Sequence, residues 1–283
     1  VDCDYSEGGS GQCYEIVFTA NNVDDDNTHL CPETTDDVGG LGNYDGDGVD
    51  NGSTQDGDEV GFSILNGALF EKMENDGYDI IDESGNIRID DFTTSVNKSF
   101  DYCLEAAPDD ELTLTFQIPV IPELLSTADD IESVEYLGLA LDGTPMNGAP
   151  PSVVDFGDGN IPSLDRCGGH QDPAGYYHWH FIAQNMNDIL DEYGYYEEGV
   201  FECEHITQSA SALMGYARDG YPIYSSAESD GTLPDDLDDC NGHFGATSEY
   251  PDGIYHYHAS TDVPNIPPCI VGKQSKDAFD KPQ

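Results

Sequence analysis

The sequence predicts a mainly β protein. A disulfide-stapled, β-sandwich-like N-terminal region precedes a duplicated, pseudo-symmetric β-rich unit with few short helices. Three observations carry that expectation. Turn formers are abundant, with 31 Gly and 16 Pro and many Asp-Gly pairs. Cysteine is even in number, eight, and none forms C-x-x-C. Residues 164–170, LDRCGGH, return as LDDCNGH at 237–243. Length allows two regions, set here at 1–130 and 131–283.

In chain order, residues 14–20 alternate apolar and polar side chains and suit a strand. The next feature is an acidic loop. Asn43, Asp45, Asp47, Val49 (through its carbonyl) and Asn51 fall at calcium-loop positions one, three, five, seven and nine, with Gly48 at six. Thr54 stands at position twelve, where a bidentate Glu belongs; Asp56, Asp58 or Glu59 could replace it. Calcium binding there competes with a plain acidic turn. The run at 24–27 reads as solvated charge. A helix is expected over 68–74, where Leu69, Phe70 and Met73 share a face before Asn75-Asp76-Gly77. A second strand is expected over 112–120, and a second helix over 186–193, ended by Gly194.

The duplication dominates the second region. Each copy runs G-x-A-x-D-G-x-P, then L-D-x-C-x-G-H, then P-x-G-x-Y-H-x-H, over 138–180 and 215–258. Six of the eight histidines lie inside the copies: His170, His178 and His180, then His243, His256 and His258. In an extended segment alternate side chains share a face, so each histidine pair points one way and its aromatic neighbours the other. Three imidazoles per copy can converge on zinc or copper. Asp165 and Asp238 are candidate acceptors for the remaining ring N–H groups. The competing reading is a hydrogen-bonded His and Tyr network without a metal. His29 and His205 stand alone and need no special role.

GYARDGYPIY, LDDCNGHFGATSEYPDGIYHYH and the trailing PPCIVG resemble the YHYH domain family, named for the tetrapeptide at 255–258. The first copy differs by Trp179 in place of the inner Tyr. The resemblance spans roughly 138–273. It implies a secreted, cysteine-containing domain with a histidine cluster, and little about reaction chemistry.

The repeat suggests Cys167 with Cys203 and Cys240 with Cys269, each pair closing its own copy, with four cysteines left for the N-terminal half. Two sequons, at Asn51 and Asn97, and the even cysteine count point to an extracellular glycoprotein, already processed at Val1. With 58 acidic against 8 basic residues the formal charge is −50. That repels nucleic acid and anionic membranes. No apolar run reaches the ~20 residues of a membrane helix. The leading expectation is a secreted, non-catalytic metal-binding protein. The alternatives are an extracellular subunit that self-assembles into a filament or surface layer, and a histidine-ligated copper or zinc enzyme. Nucleophile-elbow, H-E-x-x-H and phosphate-loop motifs are all missing from the sequence, so no catalytic residue is assigned.

Overall fold

The computed structural model describes residues 1–20, 30–44, 62–91, 100–132, 135–150, 160–204 and 206–280. Its first half holds strands β1 (Asp2–Asp4), β2 (Ser10–Thr19), β3 (Val38–Asn43) and β4 (Phe62–Asn66). These are followed by helix α1 (Gly67–Asp76) and strands β5 (Ile89–Asp91), β6 (Cys103–Glu105), β7 (Thr113–Pro119) and β8 (Leu124–Asp130). Next come β9 (Tyr136–Ala140), β10 (Pro145–Asn147), β11 (Ile161–Pro162), β12 (Gly169–Gln171), β13 (Tyr177–Trp179) and helix α2 (Met186–Glu192). The chain ends with β14 (Leu213–Ala217), β15 (Pro222–Tyr224), β16 (Gly242–Gly245), β17 (Ile254–His258), β18 (Cys269–Gly272) and β19 (Phe279–Asp280). The protein is mainly β, as the turn-rich composition implies.

Helix α1 is longer than its sequence expectation, for a local reason. The Asn66 side chain accepts from the Leu69 N–H at 3.0 Å, which caps the first turn, and Gly77 ends the helix in the left-handed region at φ 106°. Leu69, Phe70 and Met73 are buried together, as their spacing requires. Helix α2 follows a 3-10 turn at Ala183–Asn185 and buries Met186, Ile189 and Leu190.

Strands β2 and β7 pair antiparallel from Cys13↔Pro119 to Thr19↔Thr113. The sheet order is β1-β2-β7-β19, so the C-terminal β19 closes a sheet that the N-terminus begins. Leu114, Phe116 and Ile118 alternate inward from β7. They share a core with Tyr136, Leu139, Tyr176 and Tyr216 of the second region. The sandwich is thus built jointly by the N-terminal sheet and the duplicated unit. Strand β8 likewise pairs with β18, near the other end of the chain.

The duplicated unit forms one eight-stranded sheet, in the order β12-β13-β10-β9-β14-β15-β17-β16. Read from the middle outward, each half repeats the same steps. An antiparallel hairpin (β9–β10 or β14–β15) is followed by a parallel partner (β13 or β17), then an antiparallel edge (β12 or β16). At the seam Gly138↔Ala217, Leu139↔Tyr216 and Ala140↔Gly215 are opposed. That register is its own mirror under exchange of the copies, so a pseudo-two-fold passes through the Leu139–Tyr216 pair.

All four disulfides are formed: Cys3–Cys13, Cys31–Cys103, Cys167–Cys203 and Cys240–Cys269. The last two are the pairs the repeat suggested.

Candidate metal centre

Matching turns build both copies of the site. Asp165 and Asp238 accept backbone N–H bonds from Cys167 and Gly169, and from Cys240 and Gly242, at 2.8–3.2 Å. Gly168, at φ 81°, turns the chain in the first copy; Asn241, at φ 55°, does so in the second. The turn delivers His170 opposite His178 across β12–β13, and His243 opposite His256 across β16–β17. Such cross-strand pairs bring side chains on one face into contact.

The period of two then separates aromatic from histidine faces. Tyr177, Trp179 and Phe181 enter the main core, as do Tyr255, Tyr257 and Ala259. His178, His180, His256 and His258 point the other way and are also buried, each 3% exposed or less. In the first copy His180 Nε2 lies 3.2 Å from His170 Nε2 and 3.0 Å from His178 Nε2. In the second, His243 Nε2 lies 3.0 Å from His256 Nε2. A carboxylate joins this cluster: Glu228 Oε1 is 2.9 Å from His243 Nε2 and 3.8 Å from His258 Nε2. Within each group one ligand atom per residue lies within 4.8 Å of all the others, a spacing that could hold a metal ion.

The tautomers follow from the opposite ring nitrogens. His170 Nδ1 faces the Ser163 carbonyl at 3.0 Å and His180 Nδ1 the Gly148 carbonyl at 2.6 Å. His256 Nδ1 faces the Ile254 carbonyl at 3.1 Å and His258 Nδ1 the Ser225 carbonyl at 2.8 Å. His243 Nδ1 faces the Asp236 carboxylate at 2.7 Å. Carbonyl and carboxylate oxygens only accept, so each of these Nδ1 atoms carries the hydrogen, and Nε2 presents a bare lone pair. Burial pushes His170 down to about 4 and His180 down to about 3, and lowers His256 and His258. These four rings are therefore neutral near neutral pH, the form that ligates metals.

All six histidines expected as ligands are brought together, as two separate sets of three. Asp165 and Asp238 have a different task from the one expected. They receive the hydroxyls of Tyr177 and Tyr255. The ring N–H groups of five of the histidines go instead to the carbonyls of Ser163, Gly148, Ile254 and Ser225 and to the Asp236 carboxylate, two of these acceptors lying more than thirty residues away in the chain. Sequence reasoning missed Glu228 and Asp236. Neither sits inside a repeated motif: Ser163 stands at the Asp236 position in the first copy, and the stretch holding Glu228 differs in length between the copies. Gly148 and Ser225 were legible in principle, because each stands ten residues beyond the glycine that opens its copy.

Of the calcium-loop residues, Asn43 is buried and donates its amide to the Pro150 carbonyl at 2.8 Å. Asp45, Asp47, Val49 and Asn51 lie outside the described residues, with Asp56, Asp58 and Glu59. So do the 24–27 run, Asn97, His29 and His205.

The model of the YHYH protein family matches residues 115–234 and again 227–272, more than half of the 283 residues. The chain belongs to the YHYH family. Each letter of the YHYH tetrapeptide has a physical role in the second copy. Tyr255 donates to Asp238, and His256 and His258 supply candidate ligand nitrogens. Tyr257 donates to Asp219 at 2.6 Å and accepts the Val271 N–H at 2.8 Å. In the first copy Trp179 breaks the YHYH pattern and rewires that position: its indole N–H donates to the Tyr177 hydroxyl at 3.1 Å. No curated protein and no solved structure matches the chain.

Proposed function

We propose that this is an extracellular metal-binding protein with one transition-metal site, copper or zinc, in each copy of the repeat, and with no catalytic role. One observation carries the reading. In the second copy all three Nδ1 atoms are committed to oxygen acceptors, so three Nε2 lone pairs and a Glu228 carboxylate oxygen are aimed at one another. Acceptors packed this closely repel unless a cation lies between them, because buried polar atoms need partners of opposite character. His258 Nε2 is buried with no hydrogen-bond partner, as a metal ligand would be. Four disulfides and a charge of −50 support an oxidising, extracellular setting. The non-catalytic part of the proposal rests on the sequence, which offers no nucleophile beside a base.

The test is elemental analysis of protein purified without chelator or metal affinity resin. The expected result is stoichiometric zinc or copper, with His180→Ala and His258→Ala each removing about one equivalent while the four disulfides persist. Unchanged metal content in both variants sinks the reading.

A further inference from the structure

We infer that the ion of the second copy is held by four protein ligands, His243, His256, His258 and Glu228, with no coordination position left for water, and that it cross-links three strands. This rests on the metal-binding reading above and deepens it. The observation is the way Glu228 is held. It lies on the chain that continues β15, and that chain is fastened on both sides of it. Upstream, Ser225 and Ala227 donate their N–H groups to the Ala212 and Ala210 carbonyls at 3.0 and 2.6 Å. The Ser226 hydroxyl accepts from the buried Asn185 amide at 2.8 Å. Downstream, the Glu228 N–H donates to the Thr232 carbonyl, and the Glu228 carbonyl accepts from Gly231, both at 2.8 Å. Asp230 accepts the Thr232 N–H at 2.9 Å and so braces the turn. The Ser225 carbonyl of the same segment orients His258. One fixed segment thus seats a ligand ring and supplies a carboxylate, which is the preorganisation a metal site needs.

A zinc ion with bonds of ~2.0–2.1 Å sets its four ligand atoms about 3.3 Å apart along the edges of a tetrahedron. Glu228 Oε1 lies 2.9 Å from His243 Nε2 and 3.8 Å from His258 Nε2, and His243 Nε2 lies 3.0 Å from His256 Nε2. These separations straddle the tetrahedral edge. His256 and His258 are 0% and 1% exposed, and His258 Nε2 is buried with no hydrogen-bond partner. Solvent reaches the cluster on the side of Glu228, whose side chain is 25% exposed. A zinc ion with three protein ligands keeps its fourth position for water or substrate, whereas one with four is structural. Glu228 takes the position that water would need. The set spans the continuation of β15 and the strands β17 and β16, successive in the sheet. The ion therefore ties the edge strand β16 to its two inner neighbours.

The experiment uses Co²⁺ as a probe, because its visible spectrum reports coordination number. His180→Ala in the full chain confines uptake to the second copy, and His170→Ala serves should that variant misfold. Circular dichroism and a thiol count establish folding. One Co²⁺ is expected, with the intense bands of a four-coordinate ion, unaltered by azide, an anion that fills open positions. Adding Glu228→Ala, which keeps the backbone bonds of the turn, should weaken Co²⁺ binding tenfold or more and make the spectrum respond to azide. Zn²⁺ should raise the Tm of the single variant, and raise it less once Glu228→Ala is added. An azide response with Glu228 in place, a spectrum indifferent to Glu228→Ala, or uptake of copper alone overturns the four-ligand site and leaves metal binding standing. A Tm unmoved by saturating Zn²⁺ overturns the cross-link. No uptake of any of these ions by the folded single variants overturns the metal-binding reading for this copy.

Discussion

A Cβ on Gly242 would sit 2.2 Å from the Tyr255 hydroxyl oxygen, and one on Gly169 would sit 2.3 Å from that of Tyr177. These glycines hold open the slot through which each motif tyrosine reaches its aspartate. The aspartate in turn fixes the turn that carries His243 or His170. Gly242→Ala should therefore cost more than Tyr255→Phe. The phenylalanine forfeits one hydrogen bond, worth about 1 kcal/mol, while keeping the ring in place. The alanine displaces the ring as well and should cost about 2–3 kcal/mol. Urea unfolding of the two variants compares them directly, and a smaller loss for Gly242→Ala would overturn this account of the slot. Trp179 carries a related lesson. Its N–H is satisfied by Tyr177 in place of an aspartate, so the exchange of Tyr for Trp rewires one copy without opening it.

Among the elements, the seam between β9 and β14 brings the backbones of the two copies close together. Cβ atoms built on Gly138 and Gly215 would meet main-chain oxygens of Tyr216 and Leu139 at 2.4 and 2.2 Å. Backbone cannot swing aside as a side chain can. Gly215→Ala should destabilise the protein by about 3 kcal/mol, read as a lower urea midpoint with unchanged slope. An unaltered midpoint would mean that the strands part freely at the seam. Much of this level was legible in the sequence. The alternation of Leu114, Phe116 and Ile118, the apolar face of α1, the histidine and aromatic faces of β13 and β17, and two disulfides all follow from local pattern or from the repeat. What was not legible depends on residues far apart in the chain. Strand β19 joins β7 only because residues 279–280 return to the N-terminal sheet. Glu228 reaches His243 through a fold that brings β15 beside β17, and no spacing near Glu228 announces it. The eight-stranded order follows from the symmetric seam, and pattern alone gives no register between copies.

At the scale of the whole molecule, covalent closure and charge oppose each other. The disulfides close sequence separations of 10, 72, 36 and 29 residues. Chain entropy makes the longest the most stabilising, about 4 kcal/mol for Cys31–Cys103 against about 3 kcal/mol for Cys3–Cys13. Paired Cys→Ala variants should rank in that order in thermal unfolding, and an inverted ranking would point to strain or to residual structure in the unfolded chain. A formal charge of −50 repels itself in the compact state. Raising sodium chloride from ~10 mM to ~1 M shortens the screening length from about 30 to about 3 Å and should raise the Tm of the metal-free protein. A Tm that falls with salt would contradict this. The seam described above has a further meaning in the language of assembly. A contact whose register is unchanged when its halves are exchanged is an isologous interface, the kind that joins identical subunits about a two-fold axis. In a dimer of identical chains every substitution must appear twice, once on each side. Joined in one polypeptide, the halves associate at any dilution and each can change alone. That freedom lets one copy carry Asp236 beside its histidine where its twin carries Ser163.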